Sequence, residues 1–183
     1  MNNVSMKNVV SDKYLGDMIH CGGVDASIDA TVKSRHWRVT SAIMEIKSIL
    51  QDCRLNTKGG VASGLELWEL GIIPMLLNNA STWYNISTEA MKKLKSFQND
   101  MFRILFNTPR TTPIVALWWD LGTFPIEFKI IARKLNLFHH ILNLDDGELS
   151  KKIMKEQLKM KFPGLAIEAQ QYIKELELPD ITK

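Results

Sequence analysis

The feature that most constrains the fold of this chain is an apolar repeat in its first third. Apolar residues recur there mostly at three- and four-residue spacing: Ile28, Val32, Val39, Ile43, Ile46 and Leu50. This spacing places them on one face of an α-helix. Asp25 or Ser27 stands where it could cap that helix, and the pattern breaks at Thr57–Gly60. The sequence therefore predicts one long amphipathic helix between these points.

Further helical repeats follow, separated by turn signals. We predict helices over these approximate ranges: Val61–Leu77, Thr88–Phe106, Thr112–Gly122, Thr123–Leu142, a charged segment ending near Lys161, and a last helix reaching Leu176. Pro74 lacks an N–H, so it should kink the first of these or end its regular hydrogen bonding. Asp145 and Asp146 precede a glycine, and we interpret this pair as a turn rather than as metal-binding carboxylates.

The segment before the first helix has a different pattern. Lys13–His20 alternates weakly between two faces, and Cys21–Gly23 follows it, which favours a short strand running into a turn. The predicted fold class is therefore mainly α: a multi-helix bundle preceded by a short β-strand or hairpin. We divide the chain into residues 1–23, 24–144 and 145–183.

Charge is unevenly distributed along the chain. The net charge is +3, yet residues 1–144 carry 16 Lys and Arg against 12 Asp and Glu, while the last 39 residues carry 7 against 8. A surface for a polyanion is expected in the first part. Two cysteines are too few for a disulfide framework, so we expect an intracellular protein, nuclear or cytoplasmic. No apolar run is long enough to cross a membrane, and no membrane partner is predicted.

Candidates for catalysis or metal binding are weak. His20, Cys21 and Cys53 could be imagined as zinc ligands, but the close ligand pairs typical of such sites are absent. His139 and His140 are adjacent on a helix and diverge by about 100°. The sequence therefore predicts neither a self-sufficient enzyme nor a metal site. Several tryptophans are expected to pack in a core rather than stack on bases: Trp68, Trp83, Trp118 and Trp119.

Basic residues leave two interpretations open. They are Lys33, Arg35, Arg38 and Lys47, interpreted as lying largely off the apolar stripe of the first long helix, and Lys92, Lys93 and Lys95 on the third predicted helix. Such side chains could contact phosphates. A solvated helix face is the alternative, and charge alone favours it.

An ordered series of short motifs adds a family resemblance. The motifs are Tyr14-Leu15-Gly16, Leu77-x-Asn79-x-x-x-Trp83, Leu105-Phe106-x-x-Pro109, and Ala116–Gly122 followed by Pro125-Ile126. In this order the chain resembles the reverse transcriptases of non-LTR (LINE-type) retrotransposons, in the segment just after their catalytic palm motifs.

That resemblance implies specific roles. Tyr14, Leu15 and Gly16 would form the primer grip, so that residues 1–23 are the end of a palm, 24–144 a helical thumb and 145–183 a C-terminal helical extension. The partners would be an RNA–DNA or DNA duplex and a palm and fingers domain. The implied phosphate-contacting residues are Lys33, Arg35, Arg38, Lys47, Lys92 and Lys93.

Catalysis is not implied for this chain. The family's Tyr-x-Asp-Asp box, whose carboxylates hold Mg²⁺ in the intact parent enzyme, does not occur in the sequence, and without those carboxylates polymerisation is not expected. We therefore expect a non-catalytic fragment with no cofactor of its own that contributes template–primer binding to RNA-directed DNA synthesis. The alternative is a helical protein-interaction module, or a degenerate retroelement relic without nucleic-acid binding.

Overall fold

The computed structural model describes residues 10–52 and 58–179. It is mainly α-helical and carries one β-hairpin at its amino-terminal end, which confirms the predicted fold class. The elements in chain order are β1 (Ser11–Tyr14), β2 (Asp17–His20), α1 (Val24–Asp52), α2 (Lys58–Leu67), a π-helical segment (Trp68–Ile72), α3 (Ile73–Leu76), a 3₁₀ turn (Ala80–Thr82), α4 (Thr88–Phe106), α5 (Ile114–Leu121), α6 (Ile126–Leu142), α7 (Leu149–Met160) and α8 (Leu165–Glu175).

Of the strand or hairpin that the sequence leaves open before the first helix, the structure has the hairpin, because a two-residue turn divides Lys13–His20. β1 and β2 pair antiparallel, with Tyr14 opposite Asp17. The intervening Leu15 and Gly16 both have positive φ, 47° and 93°, which is the conformation of a type I′ hairpin turn. The second turn, at Cys21–Gly23, lies at the predicted position.

Helix α1 buries the stripe that the sequence predicts. Ile28, Val32, Val39 and Ile43 are at most 5% exposed, and the side chain of Leu50 lies outside the described residues. The predicted caps are not found, because the helix already begins at Val24. Ser27 Oγ instead accepts from the N–H of His20 at 2.9 Å, which fastens β2 to the start of α1.

Pro74 interrupts the second predicted helix, as expected. A proline ring in a regular helix clashes with the carbonyl four residues earlier, which here is that of Leu70. The helix widens instead: the N–H of Ile73 donates to the carbonyl of Trp68, five residues back. This π-helical turn keeps Trp68 and Leu76 fully buried on one side of the chain.

Helix α4 has the bounds that the sequence predicts, and it is fastened to α1 at its start. The Ser87 hydroxyl accepts from the N–H of Ala90 at 3.0 Å as the N-cap, and it donates to the Asp29 carboxylate at 2.6 Å. Further along, the His36 and Phe97 rings have centroids 5.4 Å apart. The two helices therefore run side by side in the same direction, with a groove between them.

The chain forms two compact units. The first contains the described residues up to Asn78 together with Asn85–Leu117, and the second contains Asn79–Tyr84 and the described residues from Trp118 onward. Predicted domain boundaries at residues 23/24 and 144/145 thus fall inside these units. The boundary at 144/145 falls inside the second unit because α6, α7 and α8 share one core, formed by Phe138, Met154, Ala166, Ala169 and Ile173.

Two further expectations concern the second unit. Asp146 and Gly147 form the predicted turn, and hydrogen bonds from Lys155 and Lys151, at 2.9 and 3.0 Å, lower the pKa of the Asp146 carboxyl to about 2. The expectation that Trp119 packs in a core is wrong, since it is 82% exposed. Trp83, by contrast, is buried as predicted.

Candidate nucleic-acid interface

The hairpin turn presents the Tyr-Leu-Gly motif to solvent. Tyr14 is 61% exposed and Leu15 is 76% exposed. Gly16 has positive φ, and a Cβ built on it would lie 3.1 Å from the Asn78 side-chain nitrogen. Glycine is therefore favoured at position 16 for two reasons: it adopts positive φ readily, and it leaves room for the Asn78 side chain. The exposed Tyr14 and Leu15 side chains do not contribute to a core.

The backbone conformation of Leu15 is energetically unfavourable for a leucine. Its φ of 47° lies in the left-handed region, which costs a residue with a Cβ roughly 1–2 kcal/mol. Asparagine or glycine fits this first turn position better. An exposed leucine in such a position is poorly explained by folding, and strained backbone of this kind is concentrated at functional sites.

We expect Leu15→Asn to raise the free energy of unfolding by roughly 1 kcal/mol, because asparagine tolerates the left-handed conformation. Urea denaturation measures this change. The matched control is Ile19→Asn, which replaces another exposed apolar residue of the same hairpin that does not have positive φ. Equal effects of the two substitutions, or a loss of stability in Leu15→Asn, would contradict the expectation.

Arg35 is not the exposed cation that its sequence interpretation requires. It is 5% exposed, because it occupies the place in the buried stripe between Val32 and Val39, three and four residues away. Its guanidinium donates to the carbonyls of Leu76 at 2.9 Å and Asn78 at 3.1 Å. It also donates to the carbonyl of Gly16 and to the Asp17 carboxylate.

This environment changes the role that Arg35 can have. Burial lowers the pKa of Arg35, while the charge and hydrogen bond of the Asp17 carboxylate oppose that shift. The side chain joins the hairpin turn to the end of α3, since it bonds to both. We therefore leave Arg35 out of the phosphate-contacting set and treat it as the residue that positions the turn.

Arg38 lies in what we call the hairpin groove, a depression of about 520 Å³. Its lining includes Lys13, Gly16, Trp37, Arg38 and Met75. Trp37 is 63% exposed, and the Arg38 guanidinium carbon lies 5.4 Å from the centroid of its ring. Exposed aromatic rings beside a cation can stack on bases, so Trp37 is a candidate residue that the sequence analysis missed.

Lys47 and Lys93 both line a second depression, the α1–α4 groove, of about 560 Å³. Its α1 wall includes His36, Met44 and Lys47, and its α4 wall includes Lys93, Asp100 and Arg103. Beyond α4, Asn107, Thr108 and Arg110 close the end. Four cationic side chains line this groove against one carboxylate, so the groove favours an anion.

The remaining predicted lysines gather near the start of α4. Glu89 accepts a hydrogen bond from Lys93 at 3.1 Å. That bond and the charge of Lys93 lower the pKa of the Glu89 carboxyl, and the charges of Lys33 and Lys92 lower it further. Lys93 therefore pairs with Glu89, and Lys33 and Lys92 are near enough for their charges to act on the same carboxylate.

The structure thus brings four of the six predicted basic residues together and separates two, Arg38 and the buried Arg35. Lys33, Lys47, Lys92 and Lys93 lie along the α1–α4 side, whereas Arg38 lies in the hairpin groove. Sequence reasoning missed Arg103 and Arg110. Arg103 follows Lys93 by ten residues, which rotates it about 80° around the helix from Lys93, and nothing in the sequence marks Arg110.

Nothing in the described ranges forms a metal centre. Among residues 10–52 and 58–179, no group of three or more His, Cys, Asp and Glu side chains could hold a metal ion, so these residues do not fit the Mg²⁺ of a polymerase. The nitrogen Nδ1 of His20 accepts from the N–H of Gly22 at 2.9 Å, and Cys53 lies outside the described residues. In that same part of the chain, no helix has the length and apolar character needed to cross a membrane.

Comparisons with known proteins returned no matching family model, no matching curated protein and no matching solved structure.

Proposed function

We propose that this chain binds an RNA–DNA or DNA duplex through its first unit, as the primer-grip and thumb portion of a non-LTR retrotransposon reverse transcriptase. In the intact enzyme it would hold the template–primer duplex during RNA-directed DNA synthesis, with a palm and fingers domain as partner and Mg²⁺ bound there. The observation that carries the proposal is the row of cationic side chains along the α1–α4 groove.

The length of this row suits a nucleic-acid backbone. Lys33 and Lys47 lie about 21 Å apart along α1 at the helical rise of 1.5 Å per residue. One strand of a duplex presents a phosphate about every 3.4 Å along its axis, so the row spans roughly six phosphates. Contacts of this kind position a duplex without reading its sequence, which is what a polymerase thumb requires.

The hairpin turn supports the same proposal from a second direction. Tyr14 and Leu15 are exposed on a turn whose backbone is costly for leucine, and the buried Arg35 fixes that turn to α3. A primer grip requires side chains held rigidly and accessible to a strand end. We therefore assign Tyr14, Leu15 and Gly16 to this role.

The test is binding of a fluorescent RNA–DNA hybrid at several salt concentrations. We expect the triple variant Lys33→Glu, Lys47→Glu, Lys93→Glu to bind more weakly and to show a smaller salt slope, since each lost phosphate contact reduces that slope by about 1. The matched control reverses three exposed lysines of the second unit, Lys152, Lys159 and Lys174, and so has the same net charge.

Two outcomes would count against the proposal. One is the absence of salt-dependent affinity of the unmodified protein for the hybrid at low ionic strength. The other is equal weakening in the test and control triples, which would indicate a general charge effect rather than a located surface.

A protein-interaction module is the second candidate, favoured by one observation. The apolar residues Leu149, Ile153, Met160 and Phe162 of α7 and its C-terminal end are 52–71% exposed, and three of them lie at spacings that share one helix face. Light scattering that finds a stable oligomer without affinity for the hybrid would favour this candidate. We then expect Ile153→Asp to dissociate the oligomer.

A further inference from the structure

The end of the α1–α4 groove at Arg103, Thr108 and Arg110 has properties that duplex positioning does not explain. Buried polar atoms in proteins almost always have a hydrogen-bond partner. Two that line this groove, Arg103 Nε and Thr108 Oγ1, are buried without one among the residues that the structure describes. A donor and a hydroxyl left unpaired at the same place suggest a ligand with acceptor oxygens.

The charges around these two atoms indicate the class of ligand. Lys47 and Arg110 line the same end as Arg103. The C-terminal dipole of α4 opposes an anion there, with the equivalent of about half a negative charge. Its last carbonyls, however, already accept from the N–H groups of Asn107 and Thr108. Three full positive charges therefore outweigh it, and the ligand group is an anion such as a phosphate.

Both walls of the groove also carry apolar side chains. Ile43 and Met44 line it from α1, Ile104 and the Phe97 ring that contacts His36 line it from α4, and Met44 is 55% exposed. The groove volume of about 560 Å³ is within the range of small-molecule sites. A flat, partly apolar group attached to the phosphate would cover Met44 and the neighbouring side chains.

We propose that this groove binds a nucleoside phosphate, with the phosphate on Arg103, Thr108 and Arg110 and the nucleoside against Ile43, Met44 and Ile104. Asp100 lines the same groove and accepts a hydrogen bond from Ser96 at 3.3 Å. Its carboxylate repels the phosphate and can accept from a ribose hydroxyl or a base amino group. Anionic, apolar and polar parts of the ligand therefore each have a matching side chain in the groove.

The proposal goes beyond duplex binding. It shares Lys47 with the set assigned to the duplex, whereas Arg103, Thr108 and Arg110, on which its test rests, are outside that set. The same chemistry is present in a free nucleotide and in a phosphorylated strand end. The probes are ADP, a 5′-phosphorylated DNA tetranucleotide, the same tetranucleotide without phosphate, and inorganic phosphate, each titrated into the full chain by calorimetry.

We expect saturable binding of ADP and about a tenfold loss of affinity in each of Arg103→Gln and Thr108→Val, the size associated with one hydrogen bond to a charged group. Thr108→Val should leave the melting temperature unchanged or raised, since the hydroxyl that it removes is buried without a partner among the described residues. A purely structural hydroxyl would give the opposite shift. Thr88→Val and Lys159→Gln, outside the groove lining, should bind ADP as the unmodified protein does.

The probes then identify the source of the ligand. If the phosphorylated tetranucleotide displaces ADP and its unphosphorylated form does not, the natural ligand is a strand end; if ADP alone binds, it is a free nucleotide. Both results support the site. The proposal is overturned by an absence of saturable ADP binding at millimolar concentration, by undiminished binding in both groove variants, or by inorganic phosphate binding as tightly as ADP.

Discussion

Replacing Arg35 with methionine is expected to reduce the free energy of unfolding by about 3–5 kcal/mol, the cost typical of removing one partner from a buried ionic network. Methionine keeps most of the volume but removes the donors that the carbonyls of Leu76, Asn78 and Gly16 use. It also leaves the Asp17 carboxylate without its ion pair to Arg35. Urea denaturation measures the change.

Two companion substitutions sharpen this test. Arg38→Met removes an arginine three residues away that is exposed, and it should change stability by less than about 0.5 kcal/mol. Arg35→Lys keeps the charge, but a lysine does not supply the planar fork of donors that reaches several acceptors at once. We expect it to fall between the other two. A stability for Arg35→Met within error of Arg38→Met would contradict the positioning role.

The same substitution has a functional consequence under the proposed function. Arg35 bonds to the hairpin turn and to the end of α3, so its loss should release the turn that carries Tyr14 and Leu15. Arg35→Met should then weaken hybrid binding at temperatures where the rest of the first unit is still folded, although Arg35 itself contacts no phosphate. Far-UV circular dichroism would verify folding in the same samples.

The second large effect is expected in the second unit, at the ion pair between Lys134 and Glu168. The Lys134 ammonium donates to the Glu168 carboxylate at 2.7 Å, and the lysine side chain is 2% exposed. It also lies 6.0 Å from the centroid of the Tyr172 ring. Glu168→Ala should therefore cost about 3–5 kcal/mol, because it leaves a buried ammonium without this carboxylate.

A double-mutant cycle separates the interaction energy of the Lys134–Glu168 pair from the effects of each side chain on its other neighbours. Lys134→Met with Glu168→Leu replaces both charges with apolar groups of similar size, and such replacements are often neutral or stabilising. We expect the double variant to be more stable than Glu168→Ala, with a coupling energy above about 1 kcal/mol. A double variant less stable than Glu168→Ala would show that the pair contributes more than it costs in desolvation.

Tyr172 offers an independent readout of the same site. Burial raises the pKa of its hydroxyl, and the charges of Glu168 and Glu175 raise it further. Removing the Glu168 carboxylate should lower that pKa toward its ordinary value. An ultraviolet titration of tyrosinate absorbance would detect the change.

Local sequence patterns predict most of the helices because their signals are local. The α4 bounds follow from Ser87 at the N-cap and from an apolar face that ends at Phe106, and Pro74 acts through its own missing N–H. The hairpin is the exception. Leu15-Gly16 is a weak turn signal, because leucine rarely has positive φ, so the alternation of Lys13–His20 leaves a strand and a hairpin both open when only the sequence is considered.

The candidate site is predictable only in part. Four of the basic residues predicted to contact phosphate do lie along one side: Lys33, Lys47, Lys92 and Lys93. Helix periodicity relates the residues within each helix, whereas the packing of α4 beside α1 brings the two pairs together. Assigning Arg35 to the same face is wrong, and its spacing to Val32 and Val39 already places it in the buried stripe. The roles of Trp37, Arg103, Thr108 and Arg110 depend on neighbours from other segments, which no local pattern records.

The sequence by itself determined where helices form and which apolar faces are buried, since helix period, capping and proline chemistry act within a few residues. Tertiary structure decided which groups the buried cation binds and which exposed cations lie together on one surface. Arg35 and Lys33 are two residues apart on one helix, yet one is enclosed by carbonyl oxygens from the hairpin and the end of α3, and the other is exposed to solvent. That difference arises because residues distant in the chain supply the acceptors around Arg35.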